Sequence, residues 1–349
     1  MTDAVTRCAR CALSAAFPSI EFDEHGVCSF CRDKMMATSE QSAIDRAKEQ
    51  LTGLLGQRSR PYDAIMCNSG GKDSTYTLKL AVEKYGLRVL SFTMDNGFIS
   101  PTARKNIEIV VDTLGVDHLT VRPSSRFYRR VIKATALLPI YQEQTLRRIS
   151  AGCNACISLV NTTALKLALE KSAPLILAGF TLGQIPANAI IYRNHFRFFE
   201  ESRKDSLDRL RAAVGDEVDD YYGISDAALD RVESYPFNVN LLCLEEVTED
   251  QIVAEVEKLG WRRPADVDGC SSNCQLNTFN NFVHQRKYGY SPYELELSHL
   301  IRKGLMTRSE AIAKIEDQPV ENLRFLARKL ELSAQERVQL GLPDLENEP

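Results

Sequence analysis

Two apolar periods alternate along this chain. Short apolar runs at 64–67, 88–98, 117–121, 174–179 and 236–244 have the length of buried strands. Between them, apolar residues recur every three or four positions. Such stretches cover 40–60, the segment from Tyr76 to Val82, 102–115, 126–150, the segment after Cys156, 248–259 and 309–331. Gly56, Gly115 and Gly260 close three of these helices, and Pro319 divides the last. The β-α-β-α-β alternation predicts an α/β fold with a doubly wound parallel sheet. A ligand is then expected beyond the carboxyl ends of the strands. Residues 192–235 are charged and aromatic, with Arg197, Phe198 and Phe199 among them. They read as an inserted helical segment over the mouth of the site, with an acidic loop at 216–222.

Composition narrows the class. With 349 residues, 44% hydrophobic and 26% charged, the chain can bury a large core. A net charge of −4 gives no overall attraction for nucleic acid or an acidic membrane. One basic strip, Arg126, Arg129, Arg130, Lys133, Arg147 and Arg148, reads as a solvated helix face. No run approaches the ~18 apolar residues of a membrane span. The first residues lack the apolar core of a secretion signal, so a cytoplasmic location is expected. Ten cysteines in a reducing compartment favour metal ligands, redox chemistry or packing over disulfides.

The cysteines are patterned. Cys8-x2-Cys11 and Cys28-x2-Cys31, sixteen residues apart, have zinc-site spacing. Two tight turns would supply four thiolates to a tetrahedral, closed and therefore structural zinc. Cys153 and Cys156 sit at the start of a helical stretch, where a lowered thiol pKa is expected. Cys67 and Cys243 lie in apolar strands and read as core. His284 and His299 lack ligand spacing and read as hydrogen-bonded structural histidines. Thr307 with Glu310 reads as a capping box.

The strongest chemical signal is Ser69-Gly70-Gly71-Lys72-Asp73-Ser74, followed by Thr75, between the first strand and its helix. Paired glycines let the backbone approach a ligand, and the new helix end favours a phosphate-sized anion. Lys72 adds a point charge. Gly-x4-Gly-Lys-Ser/Thr is absent, so this is not the Walker loop. The stretch resembles the signature of the PP-loop ATP pyrophosphatases, whose fold is adenine nucleotide alpha hydrolase-like. The resemblance implies binding of ATP with Mg2+ and transfer of AMP to a substrate oxygen. Pyrophosphate is released, and a nitrogen or sulfur nucleophile then displaces AMP. It implies that Lys72 and the backbone of 70–74 hold the pyrophosphate, and that Asp73 holds magnesium or orients the acceptor. Thr93, Asp95 and Gly97 match the place where that family meets adenine and ribose, and Gly179 ends the fourth strand beside them.

A subset of this family carries a Cys-x2-Cys at the place of Cys153 and Cys156. Some members hold an iron–sulfur cluster of the 4Fe–4S type with that pair and a later cysteine, for which Cys270 and Cys274 are candidates. A cluster, a second zinc, and a redox or packing pair all remain open. RNA-thiolating members have a His and two acidic residues after the fourth strand. Here Gly179-Phe180-Thr181-Leu182-Gly183-Gln184 stands instead, which weakens a tRNA substrate. Lys287-Tyr-Gly-Tyr290 and the stretch from Ile301 to Ala311 are similar to the tail of N-acetyl sugar amidotransferases. That branch implies an acetamidino product on a nucleotide sugar and a partner glutaminase supplying ammonia. The alternatives are a sulfur transferase, fed by a sulfur-donor protein or a cluster, and a non-catalytic nucleotide-binding protein. The expected organisation is a four-cysteine zinc module at 1–38, a PP-loop domain at 39–283 with its insert at 192–235, and a helical region at 284–349.

Overall fold

The structure is a computed structural model describing residues 6–56, 61–230, 232–317 and 319–342, without the side chains of 34–37, 197–199 and 320. The side chains of Arg197, Phe198 and Phe199 therefore lie outside the described residues.

Six strands form one sheet: β1 (Ala64–Cys67), β2 (Val89–Met94), β3 (Asp117–Val121), β4 (Leu175–Ala178), β5 (Ile191–Arg193) and β6 (Phe237–Asn240). Their order is β3-β2-β1-β4-β6-β5. All pairs are parallel except β5 with β6. β2 is buried along its whole length, as a parallel strand covered on both faces must be. The chain runs outward from β1 to β3, then returns to place β4 on the other side of β1. That reversal leaves a crevice at the carboxyl ends of β1 and β4.

Helices cover both faces. Ala64, Met66, Val89 and Leu177 pack with the helix Lys34–Leu55 and with Trp261, while Ile65, Leu90 and Ile176 pack under the helix Ala151–Lys171.

Several elements differ from the sequence expectation. Residues 192–235 are not helical throughout. They open with the end of β5, which adds an antiparallel edge, before the helix Phe196–Val214. That helix packs its Leu210 and Val214 with Phe127 and Val131. The acidic stretch 216–222 is the helix Glu217–Tyr222, whose Val218 and Tyr222 are buried. The helix expected over 126–150 stops at Leu137, because Pro139 follows, and resumes as Glu143–Leu146. The strand expected at 236–244 keeps only four residues, and Leu241–Leu244 turns into a 3-10 helix. The helix Lys34–Leu55 crosses residue 38.

Three residues of the basic strip pair with acidic side chains, while Arg147 donates to Ser19 and Arg148 to the Gly183 carbonyl. Arg129 meets Glu331 at 3.0 Å, Lys133 meets Glu336 at 3.2 Å, and Arg130 pairs with Glu217. The Thr307–Glu310 capping box forms as expected. No helix among the described residues is long and apolar enough to cross a membrane.

Candidate active site and metal centre

β1 ends at Cys67, and the helix Lys72–Lys79 begins after four intervening residues. Gly70 takes φ +76°, and a Cβ there would lie 2.3 Å from the Ala103 carbonyl oxygen. Only glycine fits this bend. The Trp261 indole N–H donates to the Gly70 carbonyl at 2.9 Å from a fully buried position.

Each N–H of the bend meets a side-chain oxygen. Ser69 donates to Ser74 Oγ at 3.2 Å, Gly70 to Asn68 Oδ1 at 3.1 Å, Gly71 to Ser69 Oγ at 3.4 Å and Lys72 to Ser272 Oγ at 3.1 Å. Three of the four oxygens are hydroxyls, and those of Ser69 and Ser74 also bond each other at 3.0 Å. The donors thus already converge on one concave bend at a helix N-terminus, the geometry that receives a phosphate.

The bend opens into a cavity of about 1170 Å³. Ser69, Gly71, Lys72, Asp73, Ser74 and Gly179 line it. Gly70, Thr75, Thr93, Asp95 and Gly97, also expected at the site, are not among its lining residues. Thr75 is fully buried, and Thr93 donates to the Asn68 carbonyl at 2.6 Å. Arg104 holds Asp95 with two bonds of 2.8 Å, and Gly97 caps it at 3.0 Å. A Cβ on Gly179 would sit 3.0 Å from the Asp73 carbonyl, so this glycine lets the loop helix close on β4.

Lys72 Nζ lies 2.7 Å from Asp73 and 3.8 Å from Glu249. Glu249 also meets Lys314 at 3.0 Å and Arg263 at 2.9 Å. Burial works against its charge, yet Lys72 and Lys314 pull its carboxyl down to about 2. Burial likewise opposes the charge on Lys72, but Asp73 and Glu249 keep its pKa raised.

Sequence reasoning missed Ser272, Glu249, Glu296 and Trp261. Each lies far along the chain from the glycine bend, and none stands in a recognisable motif.

The second cysteine set divides. Cys153, Cys156 and Cys274 line the cavity, and Asn96 Nδ2 lies 3.8 Å from Cys156 Sγ and 3.7 Å from Cys274 Sγ. Asn280 donates to Cys153 Sγ at 3.3 Å. Cys270 also borders the cavity, but its thiol donates to the Lys314 carbonyl at 3.3 Å. The lowered thiol pKa expected at the helix start is not found: burial pushes Cys153 up to about 11 and raises Cys156. Desolvation outweighs the partial charge of the helix end. Cys67 and Cys243, both expected in the core, border the same cavity; Cys243 is buried and donates to the Phe180 carbonyl at 3.1 Å.

The first cysteine set forms a tight cluster. The sulfurs of Cys8, Cys11, Cys28 and Cys31 all lie within 4.8 Å of one another, the only such group among the described residues. Four thiolates around one zinc stand about 3.8 Å apart, given a Zn–S bond of ~2.3 Å. Cys11 to Cys28 is 3.7 Å and Cys8 to Cys31 is 4.0 Å, so the donor set fits a single tetrahedral ion. Backbone N–H groups of Arg10 and Cys28 point at Cys8 Sγ, as they would toward a thiolate. This module is bolted to the C-terminal helices. Ser14 N–H donates to Glu294 at 2.8 Å, Ala12 N–H to Ser298 at 3.1 Å, and Arg308 to the Cys8 and Cys11 carbonyls at 3.1 Å.

The two unplaced histidines differ. His299 Nδ1 sits 3.6 Å from Glu40. His284 is buried between Tyr288 and Tyr290, but neither ring nitrogen finds a partner among the described residues.

The fold and site define a class: an α/β protein with a glycine bend at its topological switch point and a separate cluster of four cysteines. Within that class, residues 271–340 match the family described as "LPS biosynthesis protein WbpG-like, C-terminal domain". That segment begins at the loop bearing Ser272 and Cys274 and includes Glu296. The chain is 21% identical over 302 residues to uncharacterized protein MJ1599 of Methanocaldococcus jannaschii, covering 86% of this chain and 89% of that one. Among solved structures it is similar to the U34-tRNA thiolase NcsA of Methanococcus maripaludis with its 4Fe–4S cluster, at 16% identity and TM-score 0.35, covering 86% and 87% of the two chains. It is also similar to the NMN synthetase of Francisella tularensis, at 11% identity and TM-score 0.37, covering 87% and 97%. Scores this low carry no inference about activity.

Proposed function

We propose that this protein transfers AMP from ATP to an acceptor carbonyl oxygen, releases pyrophosphate, and then replaces AMP with nitrogen. The observation that carries this reading is the bend at the end of β1, with four converging N–H groups and Lys72, opening into a cavity of about 1170 Å³. A pyrophosphate there exchanges hydroxyl contacts of 3.1–3.4 Å for shorter, charge-assisted ones. Lys72, held beside Asp73, offsets charge on the leaving group. Magnesium accompanies the ATP.

The WbpG-like match over 271–340 supports a nucleotide sugar as the acceptor class, because that segment lines the cavity through Ser272, Cys274 and Glu296. An N-acetyl group supplies the carbonyl oxygen, and a partner glutaminase supplies ammonia. The Cys8–Cys11–Cys28–Cys31 cluster holds zinc in a structural role.

The test is incubation with magnesium ATP, ammonium chloride and a panel of N-acetylated UDP-sugars. AMP and pyrophosphate formed only with an acceptor supports the reading; ADP, or no product, counts against it.

A second reading is sulfur transfer. Its support is that Cys153, Cys156 and Cys274 line one cavity, with Cys156 and Cys274 both beside Asn96. Three thiolates suit an iron–sulfur cluster with one iron open to sulfide. Iron and acid-labile sulfide in anaerobically purified protein would favour it.

A further inference from the structure

Glu296 is a carboxylate in an unusual place. It projects from the helix Glu294–Arg302 and lines the same cavity as Lys72 and Asp73. No ion pair reaches it among the described residues; the Thr181 hydroxyl donates to Oε1 at 3.1 Å, and Gln184 also hydrogen-bonds to the carboxylate. The turn after β4 presses against this helix so closely that a Cβ on Gly183 would meet the Glu296 Cα at 2.8 Å. On the other side the four-cysteine module grips Glu294 and Ser298 of the same helix. The carboxylate is therefore held between the second crevice strand and the metal module. An enclosed carboxylate without a cation is expensive to keep, and such sites are enriched at active centres.

Resting on the nitrogen-transfer reading above, we propose that Glu296 is the general base of its second half-reaction, accepting one proton from the incoming ammonia.

The step balances. The ammonia lone pair forms a C–N bond to the activated carbon, and the C–O bond to AMP breaks. AMP leaves with the former carbonyl oxygen. Ammonia and the acceptor amide bring four N–H hydrogens; three stay on the amidinium product and the fourth goes to the Glu296 carboxylate.

The groups facing Glu296 suit this role. Burial raises its carboxyl to about 7, Asp73 adds to the rise, and Lys72 opposes it, while Thr181 and Gln184 hydrogen bonds favour the ionised form. Glu249, with its own partners Lys314 and Arg263, stands behind Lys72. Cys270 and Tyr293, both with raised pKa, are further titratable neighbours and stay neutral near pH 7, while His299 and Arg148 meet the Gly183 turn beside it. A base with a pKa near the working pH transfers protons most effectively.

The experiment compares wild type with Glu296→Gln and Glu296→Asp, using magnesium ATP, ammonium chloride and the N-acetylated UDP-sugar that gives AMP. Pyrophosphate from the first turnover and amidine product are followed separately from pH 5.5 to 9, with total ammonium adjusted at each pH to hold free ammonia constant. In Glu296→Gln a first-turnover burst of pyrophosphate is expected with amidine formation down at least about 100-fold. The acidic limb near pH 7 should vanish in Glu296→Gln and persist in a weaker Glu296→Asp enzyme. The burst itself reports a folded, ATP-competent protein. Amidine formation in Glu296→Gln at the wild-type rate, with the limb in place, overturns the proposal and spares the reaction. Loss of the burst as well puts Glu296 in the first step and also overturns it. Absence of AMP from the wild type with every acceptor overturns the reaction and the base together.

Discussion

Trp261 Nε1–H donates to the Gly70 carbonyl at 2.9 Å, so a side chain almost two hundred positions away sets the floor of the glycine bend. Gly70 cannot move toward the helix Pro101–Leu114 either, since the Ala103 carbonyl is already against its Cα. The bend is therefore held before any ligand arrives, which lowers the ordering cost of binding.

Trp261→Phe should leave the Gly70 carbonyl buried without its donor. A loss of about 1–3 kcal/mol is expected in urea unfolding, with weaker ATP binding. Trp261 is the sole tryptophan, so its fluorescence in the wild type should change on titration with magnesium ATP.

Gly70→Ala should be worse tolerated than Gly97→Ala. The first Cβ meets backbone at 2.3 Å; the second meets nothing within 4 Å, although both glycines have positive φ. Nucleotide binding by calorimetry should be lost in the first and retained in the second.

Lys72→Ala should lower AMP formation by at least about 100-fold, because a transition-state charge loses its partner. Circular dichroism should be unchanged. Turnover at the wild-type rate would remove Lys72 from the chemistry.

Cys28→Ser, or treatment with a strong chelator, should release one metal ion per chain, counted by mass spectrometry. Protection from hydrogen exchange should then fall in the helix Glu294–Arg302, which the cysteine module holds through Glu294 and Ser298. Unchanged exchange there would show that the module is not a clamp.

His284 supplies a pH dependence. Burial lowers its pKa from 6.5 to about 3, so the folded protein keeps it neutral where the unfolded chain protonates it. The unfolded state then binds the extra proton, and stability falls as pH drops from about 6.5 toward 3, by at most ~1.4 kcal/mol per pH unit. His284→Phe should flatten that slope in urea titrations at a series of pH values.

How much of this is legible in the sequence varies with range. The strand–bend–helix at 64–79 shows in the sequence because all its determinants are neighbours: apolar run, two glycines, lysine, helical period. The four-cysteine set shows for the same reason, as two short motifs at metal spacing. β5 is hidden, being three residues long and stabilised by one antiparallel partner whose position no local pattern states. The thiol acidity expected at Cys153 fails because the helix end is local, whereas the burial that overrides it involves remote segments, among them the helix Leu276–Tyr288 packed against Ala151–Lys171.

What the sequence by itself determined is the set of local conformations: where strands alternate with helices, where the backbone must bend through glycine, and which cysteines pair across two intervening residues. Only the tertiary structure decided which remote side chains meet at the bend. Ser272 on the Lys72 N–H, Trp261 beneath Gly70 and Glu296 across from Asp73 come from segments about two hundred residues downstream. The physical reason is that periodicity and turn chemistry act over a few residues, while the charge state and reach of a buried group depend on everything packed around it.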